Sequence, residues 1–227
     1  MKDQVGRFSY GAKFFERYNP FFAACRLLPA TANVWVIGAN DGELADPARY
    51  CWQAGWRGTF VEPQPDIAAT LAERVGADNV VIAALDSEPG TLRLWRMAPA
   101  LAAAYARVGA HGSALTSISR AHIIQRVRLN LAESAAGLTD DQVIEPIDVP
   151  RITAAELMEQ RGKPDLIQVD VEGMEMRIVP DLIQLGPKVI MWEVQHMTSA
   201  DRATLARQAQ KRGYTVTTMK NDMMAVC

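Results

Sequence analysis

The chain has 227 residues, 49% hydrophobic and 22% charged, with a formal net charge of −2. That length and balance fit one globular α/β unit with a sizeable core, and give no reason to expect a nucleic-acid or anionic-membrane partner. Its three cysteines (Cys25, Cys51 and Cys227) are scattered with no CxxC pair, which argues against a zinc motif or a disulfide framework and points to a cytoplasmic location.

The N-terminus carries Lys2, Asp3, Arg7, Lys13, Glu16 and Arg17 before any long apolar run, so it does not read as a signal peptide. No stretch approaches about 18 apolar residues, so no membrane span is expected. The segment from Phe14 to Leu28 predicts a short amphipathic lead-in helix ended by Pro29. Val34 to Ile37 predicts a buried strand, Gly38 to Gly42 a tight turn, and Leu44 to Ala54 a helix stopped by Gly55. A second strand, Thr59-Phe60-Val61, ends at Glu62. Pro63 and Pro65 then mark a turn before a helix from Ile67 to Val75, and Val80 to Ala84 is a third strand. This alternation predicts a doubly wound, mostly parallel sheet.

Glu88-Pro89-Gly90 is a turn, and Thr91 to Trp95 alternates like an edge strand. The stretch from about 98 to 145 is less regular and reads as an insertion or lid within one domain spanning 1–227; long stretches of this kind are often functional. From Pro146 the alternation resumes, with a short strand over Ile147 to Val149. Thr153 caps a helix through Glu159, with Glu156 at capping-box spacing. Leu166 to Val169 is a strand, Met174 to Leu185 a helix interrupted at Pro180, and Val189 to Val194 a strand. A helix from Ser199 to Arg212 precedes a closing antiparallel hairpin, Tyr214 to Met219 and Met223 to Val226.

Two acidic, Gly-containing loops follow apolar strands: Gly38-Ala39-Asn40-Asp41-Gly42 and Asp170-Val171-Glu172-Gly173-Met174-Glu175. In open α/β sheets ligands bind outside the carboxyl ends of the strands, so the two loops predict one shared site. The first loop argues against a nicotinamide cofactor. Asn40 stands where pyrophosphate needs a glycine, Glu43 replaces the third glycine, and Asp41 and Glu43 put negative charge where phosphate would sit. S-adenosylmethionine, which carries an amino group and a sulfonium but no phosphate, has the opposite requirements. Glu62, ending the second strand, is placed to accept hydrogen bonds from ribose hydroxyls; its alternative is a solvated turn carboxylate. Asp41 has simple N-capping as its alternative.

The strings VIGANDG (36–42), Val61-Glu62-Pro63, Ala83-Ala84-Leu85-Asp86 with Gly90, and DLIQVDVEGME (165–175) together resemble the FkbM-type S-adenosylmethionine-dependent methyltransferases. Glu193 closing a strand and the terminal hairpin agree with that resemblance, which spans roughly 33–227. It implies a Rossmann-like, class I methyltransferase fold with seven strands, and O-methylation of a sugar, glycan or natural-product hydroxyl. By the same resemblance Gly38, Ala39, Asn40, Asp41 and Gly42 would line the methionyl and ribose portion. Glu62 would hold the ribose, Ala84 or Asp86 would face adenine, and Asp170 would lie between cofactor and acceptor. Ile37 stands where the family usually has Asp, and Gln168 where it usually has Lys, which removes a cation beside Asp170 and Glu172.

Loss of a hydroxyl proton calls for a base. Asp170, Glu172, Glu193 and His196, at or past the ends of two strands, are the candidates. The same groups, Asp170, Glu193 and His196 above all, could instead hold a divalent cation that polarises the acceptor. Glu175 has a helix-start role as its alternative. His111, His122, Ser113, Ser117 and Ser119 are either acceptor contacts or solvated surface residues. A non-catalytic module binding S-adenosylmethionine or S-adenosylhomocysteine, and a nicotinamide-dependent oxidoreductase, stand as rival readings.

Overall fold

The computed structural model describes residues 12–42, 55–107 and 115–227. The expected helix from Leu44 to Ala54, with Cys51, His111 and Ser113, lies outside them. Eleven strands are present among the described residues: β1 (Asn33–Ile37), β2 (Arg57–Val61), β3 (Val80–Val81), β4 (Ala84–Leu85), β5 (Gly90–Met97), β6 (Thr116–Ser117), β7 (Ile144–Ile152), β8 (Leu166–Val169), β9 (Val189–Glu193), β10 (Thr215–Thr218) and β11 (Asp222–Val226).

Seven of them form a sheet in the order β10-β11-β9-β8-β1-β2-β3. All run parallel except β11, which is antiparallel to both β9 and β10. Every residue of β1 is buried, as a central strand covered on both faces requires. Trp35 and Ile37 point to one face, where they join Ile167, Trp192 and residues of the helices Ala154–Arg161, Glu175–Gln184 and Ser199–Lys211. Val34 and Val36 point to the other, against Tyr18 and Phe21 from the N-terminal segment and Leu71 of the helix Pro65–Val75. The strand order reverses at β1, between β2 and β8, so the loops after β1 and β8 meet at the switch point. The terminal hairpin and the Thr153–Glu156 capping box form as the sequence predicts.

Three departures from the sequence reading have identifiable causes. The predicted lead-in helix is two helices, Ala12–Arg17 and Asn19–Cys25, broken at Tyr18, with Pro20 in the first turn of the second. The predicted third strand divides: β3 pairs with β2 in the main sheet, while β4 pairs with β7 in another. An apolar run shows no sign of where its hydrogen-bond partner changes. That other sheet, in the order β4-β7-β5-β6, has no counterpart in the sequence pattern. In it β5 is interior rather than an edge, and β7 is longer than the expected Ile147 to Val149. Pro146 and Pro150 mask β7 in the sequence. They are tolerated because β4 pairs only with Arg151 and Ile152, leaving most of that edge without a neighbouring strand among the described residues.

The stretch expected to be irregular supplies β6, the helix Arg120–Asn130 and a core of its own around Ile123 and Val127. This second layer is tied to the first by Arg96, which pairs with Asp66 on one side and Glu145 on the other, and by the Ser117 hydroxyl donating to the Glu172 carbonyl at 3.0 Å. No described helix is long and apolar enough to cross a membrane.

Candidate active site at the switch point of the sheet

The loop after β1 is shaped by backbone contacts. Gly38 (φ 81°) and Ala39 both donate to the Val61 carbonyl, at 2.9 and 3.0 Å, and Asp170 donates its backbone N–H to the Ile37 carbonyl at 2.9 Å. A Cβ on Gly38 would strike the Asp170 carbonyl. Only glycine lets the two loops approach this closely. Asn40 is left-handed (φ 49°), a conformation Asn tolerates well, and its side-chain oxygen accepts the Asp41 N–H at 2.7 Å.

Glu62 is not a solvated turn carboxylate. It is 3% exposed, and its two oxygens accept the backbone N–H groups of Asn40 and Gln64, each at 2.9 Å. Burial pushes its carboxyl up to about 7 against the pull of these hydrogen bonds. Oε1 also accepts the Gln64 side-chain amide at 3.4 Å, and Oε2 can accept a second donor.

Glu62 stands in the wall of a cleft of about 580 Å³, counting its open mouth. Ile37, Gly38 and Asn40 line one side; Val61, Pro63 and Ala83 to Leu85 line an apolar side with Leu94; Asp170, Glu172 and Ser117 line the far end. An apolar slot with few polar groups is the usual form of a small-molecule site.

The far end is crowded with carboxyl groups. Asp170 keeps its side chain open to the cleft. Desolvation by the protein packed around the carboxyl, and then the charges of Glu193, Glu172, Glu175 and Asp222, hold it well above the usual carboxylate range. Glu193 is pushed up to about 7, by burial first and Glu172 next; its Oε1 accepts from Gln195 at 2.6 Å. Its Oε2 is buried without a hydrogen-bond partner among the described residues. Glu172, itself left-handed (φ 53°), is raised by burial and lowered by His196, whose Nε2 lies 2.9 Å from its Oε2. Asp222 is held by Arg17 at 2.7 Å and by the Tyr18 hydroxyl at 3.3 Å.

The structure thus brings Asp170, Glu193 and His196 together, with Gly38, Asn40, Glu62 and Ala84 around the adjoining cleft. The remaining predicted residues are placed differently. Ala39 is buried, and Asp41 and Gly42 are half-buried outside the cleft lining; Gly42 packs toward Leu71. Asp86 does not line the cleft either. Its fully buried carboxylate is paired with Arg151 at 3.2 Å and Arg177 at 2.7 Å and accepts the Ser87 N–H, so its role is to neutralise two arginines. Glu175 is buried and accepts the Gly173 N–H at 3.1 Å, turning the chain into its helix.

Sequence reasoning missed Tyr18 and Arg17, which carry no local signal; they reach Asp222 across more than 200 positions. It also left His122 undecided, whereas His122 stands edge-on to His196 with ring centroids 5.0 Å apart. Burial, His196 and Arg126 lower its pKa. No lysine is needed at Gln168 to bring cations to the cluster: Arg17 serves Asp222, and Arg126 acts on Glu172.

A family model described as the Methyltransferase FkbM domain matches residues 37–216. No curated protein matches the chain in sequence. Among solved structures, the chain is similar to the precorrin-6y C5,15-methyltransferase from Geobacter metallireducens GS-15, with 12% identity and a TM-score of 0.45 over 97% of this chain and 94% of that one. It is also similar to cofactor-bound Rv0187 from MTB (14% identity, TM-score 0.40, 98% and 83% covered). A third likeness is to the fibrillarin/Nop5p complex (12% identity, TM-score 0.29, 97% and 90% covered). All three are distant likenesses.

Proposed function

The chain belongs to the FkbM methyltransferase family and is an S-adenosylmethionine-dependent methyltransferase, and on that premise we propose that it methylates a hydroxyl of a sugar, glycan or natural-product acceptor. The observation that carries this reading is the position of Asp170. Its backbone abuts Gly38 at the cofactor loop while its carboxylate opens into the same cleft, at the edge of a carboxylate and histidine cluster.

The described residues fit S-adenosylmethionine. Gly38 and Asn40 offer a close-approach backbone, Glu62 offers a lone pair on Oε2 for a ribose hydroxyl beside the Oε1 that the Gln64 amide shares, and Ala83, Ala84, Leu85 and Leu94 offer an apolar slot for a flat base. The bound cofactor supplies a methyl group on a positively charged sulfur. Everything else falls to the chain. A hydroxyl is a poor nucleophile until its proton is held by a base, and a positioned base contributes about 10²–10⁴-fold. Asp170, kept above the usual carboxylate range, is the group closest to the cofactor loop that can accept that proton. Glu193 and the His196–Glu172 pair accept or donate hydrogen bonds to further hydroxyls, which fits a polyhydroxylated acceptor. Holding the two reactants in line supplies the remainder.

Transfer of labelled methyl from S-adenosylmethionine tests this over a panel of sugars, glycosides and hydroxylated natural products, with amine and thiol compounds in parallel. Label appearing as a base-stable ether on a hydroxylated acceptor is the expected result. Transfer only to nitrogen, sulfur or carbon overturns the hydroxyl reading and leaves the methyltransferase in place.

A further inference from the structure

Around Glu172, which lines the cleft, two imidazoles and a carboxylate meet from separate parts of the chain. Glu172 follows β8 and His196 follows β9 in the main sheet, whereas His122 comes from the first turn of the helix Arg120–Asn130 in the second layer. His196 Nε2 lies 2.9 Å from Glu172 Oε2. One ligand atom from each of His122, Glu172 and His196 lies within 4.8 Å of the other two.

We infer that His122, His196 and Glu172 form a binding site for a divalent first-row transition ion of the Mn²⁺, Co²⁺ or Zn²⁺ class. An imidazole and carboxylate donor set suits these ions, whereas Mg²⁺ and Ca²⁺ favour all-oxygen shells. Ions with bonds of about 2.0–2.2 Å hold neighbouring ligand atoms about 3 Å apart. The His196–Glu172 pair already has that spacing, and His122 needs only a small approach of its helix. A second observation points the same way. Glu193 Oε2 is buried with no hydrogen-bond partner among the described residues and lies 3.8 Å from His196 Nε2. An orphaned carboxylate oxygen beside the His196 imidazole is costly unless a cation or donor reaches it. Arg126, one turn beyond His122, is the competing cation for Glu172; its exposed side chain is free to turn outward.

An ion here would join the second layer to the main sheet beside the cleft, and three protein ligands leave positions for water or an acceptor oxygen. That use in acceptor binding rests on the O-methylation reading; the existence of the site does not.

The test takes the full chain stripped of metal and titrates it with Co²⁺, following the visible d–d absorption and the melting temperature. The expected result is saturation at one ion per chain with a raised melting temperature. His122→Ala and His196→Ala should each weaken Co²⁺ binding about ten-fold or more, with circular dichroism unchanged. His122→Gln serves where the alanine variant does not fold. S-adenosylhomocysteine affinity, measured by calorimetry on the same samples, should be unaffected by His122→Ala, so loss of the ion site and loss of the cofactor site are read separately. No protein-dependent Co²⁺ spectrum up to about 1 mM, or equal affinity in wild type and the His122 variants, overturns the site and leaves a hydrogen-bonded His196–Glu172 pair.

Discussion

Gly38 and Asp170 meet backbone to backbone: a Cβ on Gly38 would fall on the Asp170 carbonyl, so the ends of β1 and β8 touch with no side chain between them. This contact joins the loop that would hold the cofactor to the residue that would accept the proton. Through it the switch point of the sheet becomes one site instead of two neighbouring loops.

Gly38→Ala should therefore affect both stability and binding. The position has φ 81°, which costs an alanine about 1–3 kcal/mol, and the collision with Asp170 adds about 1–3 kcal/mol of overpacking. Urea unfolding should show a loss of at least about 2 kcal/mol, with weakened S-adenosylhomocysteine binding. A wild-type midpoint and affinity would mean the two loops are not in contact.

Glu62 should give the proposed cofactor site a pH dependence. Its carboxyl lies at about 7 in the folded protein against an ordinary 4.5. The ionised form is the stronger hydrogen-bond acceptor for a ribose hydroxyl, so affinity for S-adenosylhomocysteine should rise with pH, by up to about ten-fold from pH 6 to pH 8. Stability of the empty protein moves the other way. The unfolded chain releases this proton first, so the contribution of Glu62 falls as pH rises from 4.5 to about 7 and is level above. Calorimetric titrations across that range check the slope. Glu62→Gln should flatten it, and an unchanged slope in that variant would assign the pH dependence to another group.

Asp86 provides a control. A carboxylate shared between Arg151 and Arg177 is structural, so Asp86→Asn should lower stability by about 1–3 kcal/mol, the figure for a buried pair reduced because Arg177 is half-exposed. Cofactor affinity measured well below the melting temperature should stay within a few-fold of wild type. A selective loss of affinity without loss of stability would return Asp86 to the adenine side of the cleft.

Asp170→Asn should separate chemistry from binding. Turnover on any accepted hydroxyl compound should fall by about two to four orders of magnitude, with S-adenosylhomocysteine affinity preserved. Because Glu193, Glu172, Glu175 and Asp222 all press on Asp170, removing its charge should raise the melting temperature at pH 8 by about 2–6 °C. Full turnover in this variant would remove Asp170 as the base.

Much of this site is written locally. An apolar run entering Gly38-Ala39-Asn40-Asp41-Gly42, or Thr153 three residues before Glu156, carries its own turn or cap within a few positions, and the structure places both as expected. What escaped the sequence depends on partners far away. Val80 to Leu85 is one apolar run, yet its first residues pair with β2 and its last with β7. Asp86 has the same acidic character as Asp170, and only the arrival of two distant arginines separates a structural carboxylate from one that opens into the cleft. Tyr18 and His122 reach the acidic cluster only once the N-terminal helices and the second layer have packed onto the main sheet.

The central claim is that the cleft between Gly38, Glu62 and Asp170 holds S-adenosylmethionine. Isothermal titration of the full chain with S-adenosylhomocysteine, beside Glu62→Ala and beside NAD, tests it most directly. The expected result is one S-adenosylhomocysteine per wild-type chain and no response to NAD. In Glu62→Ala the affinity should fall by about 1.5–3 kcal/mol, the range for hydrogen bonds to a charged group, alongside a lower melting temperature because the Asn40 and Gln64 N–H groups lose their acceptor. No binding by wild type, or equal affinity in a folded Glu62→Ala variant, would contradict the placement of the cofactor.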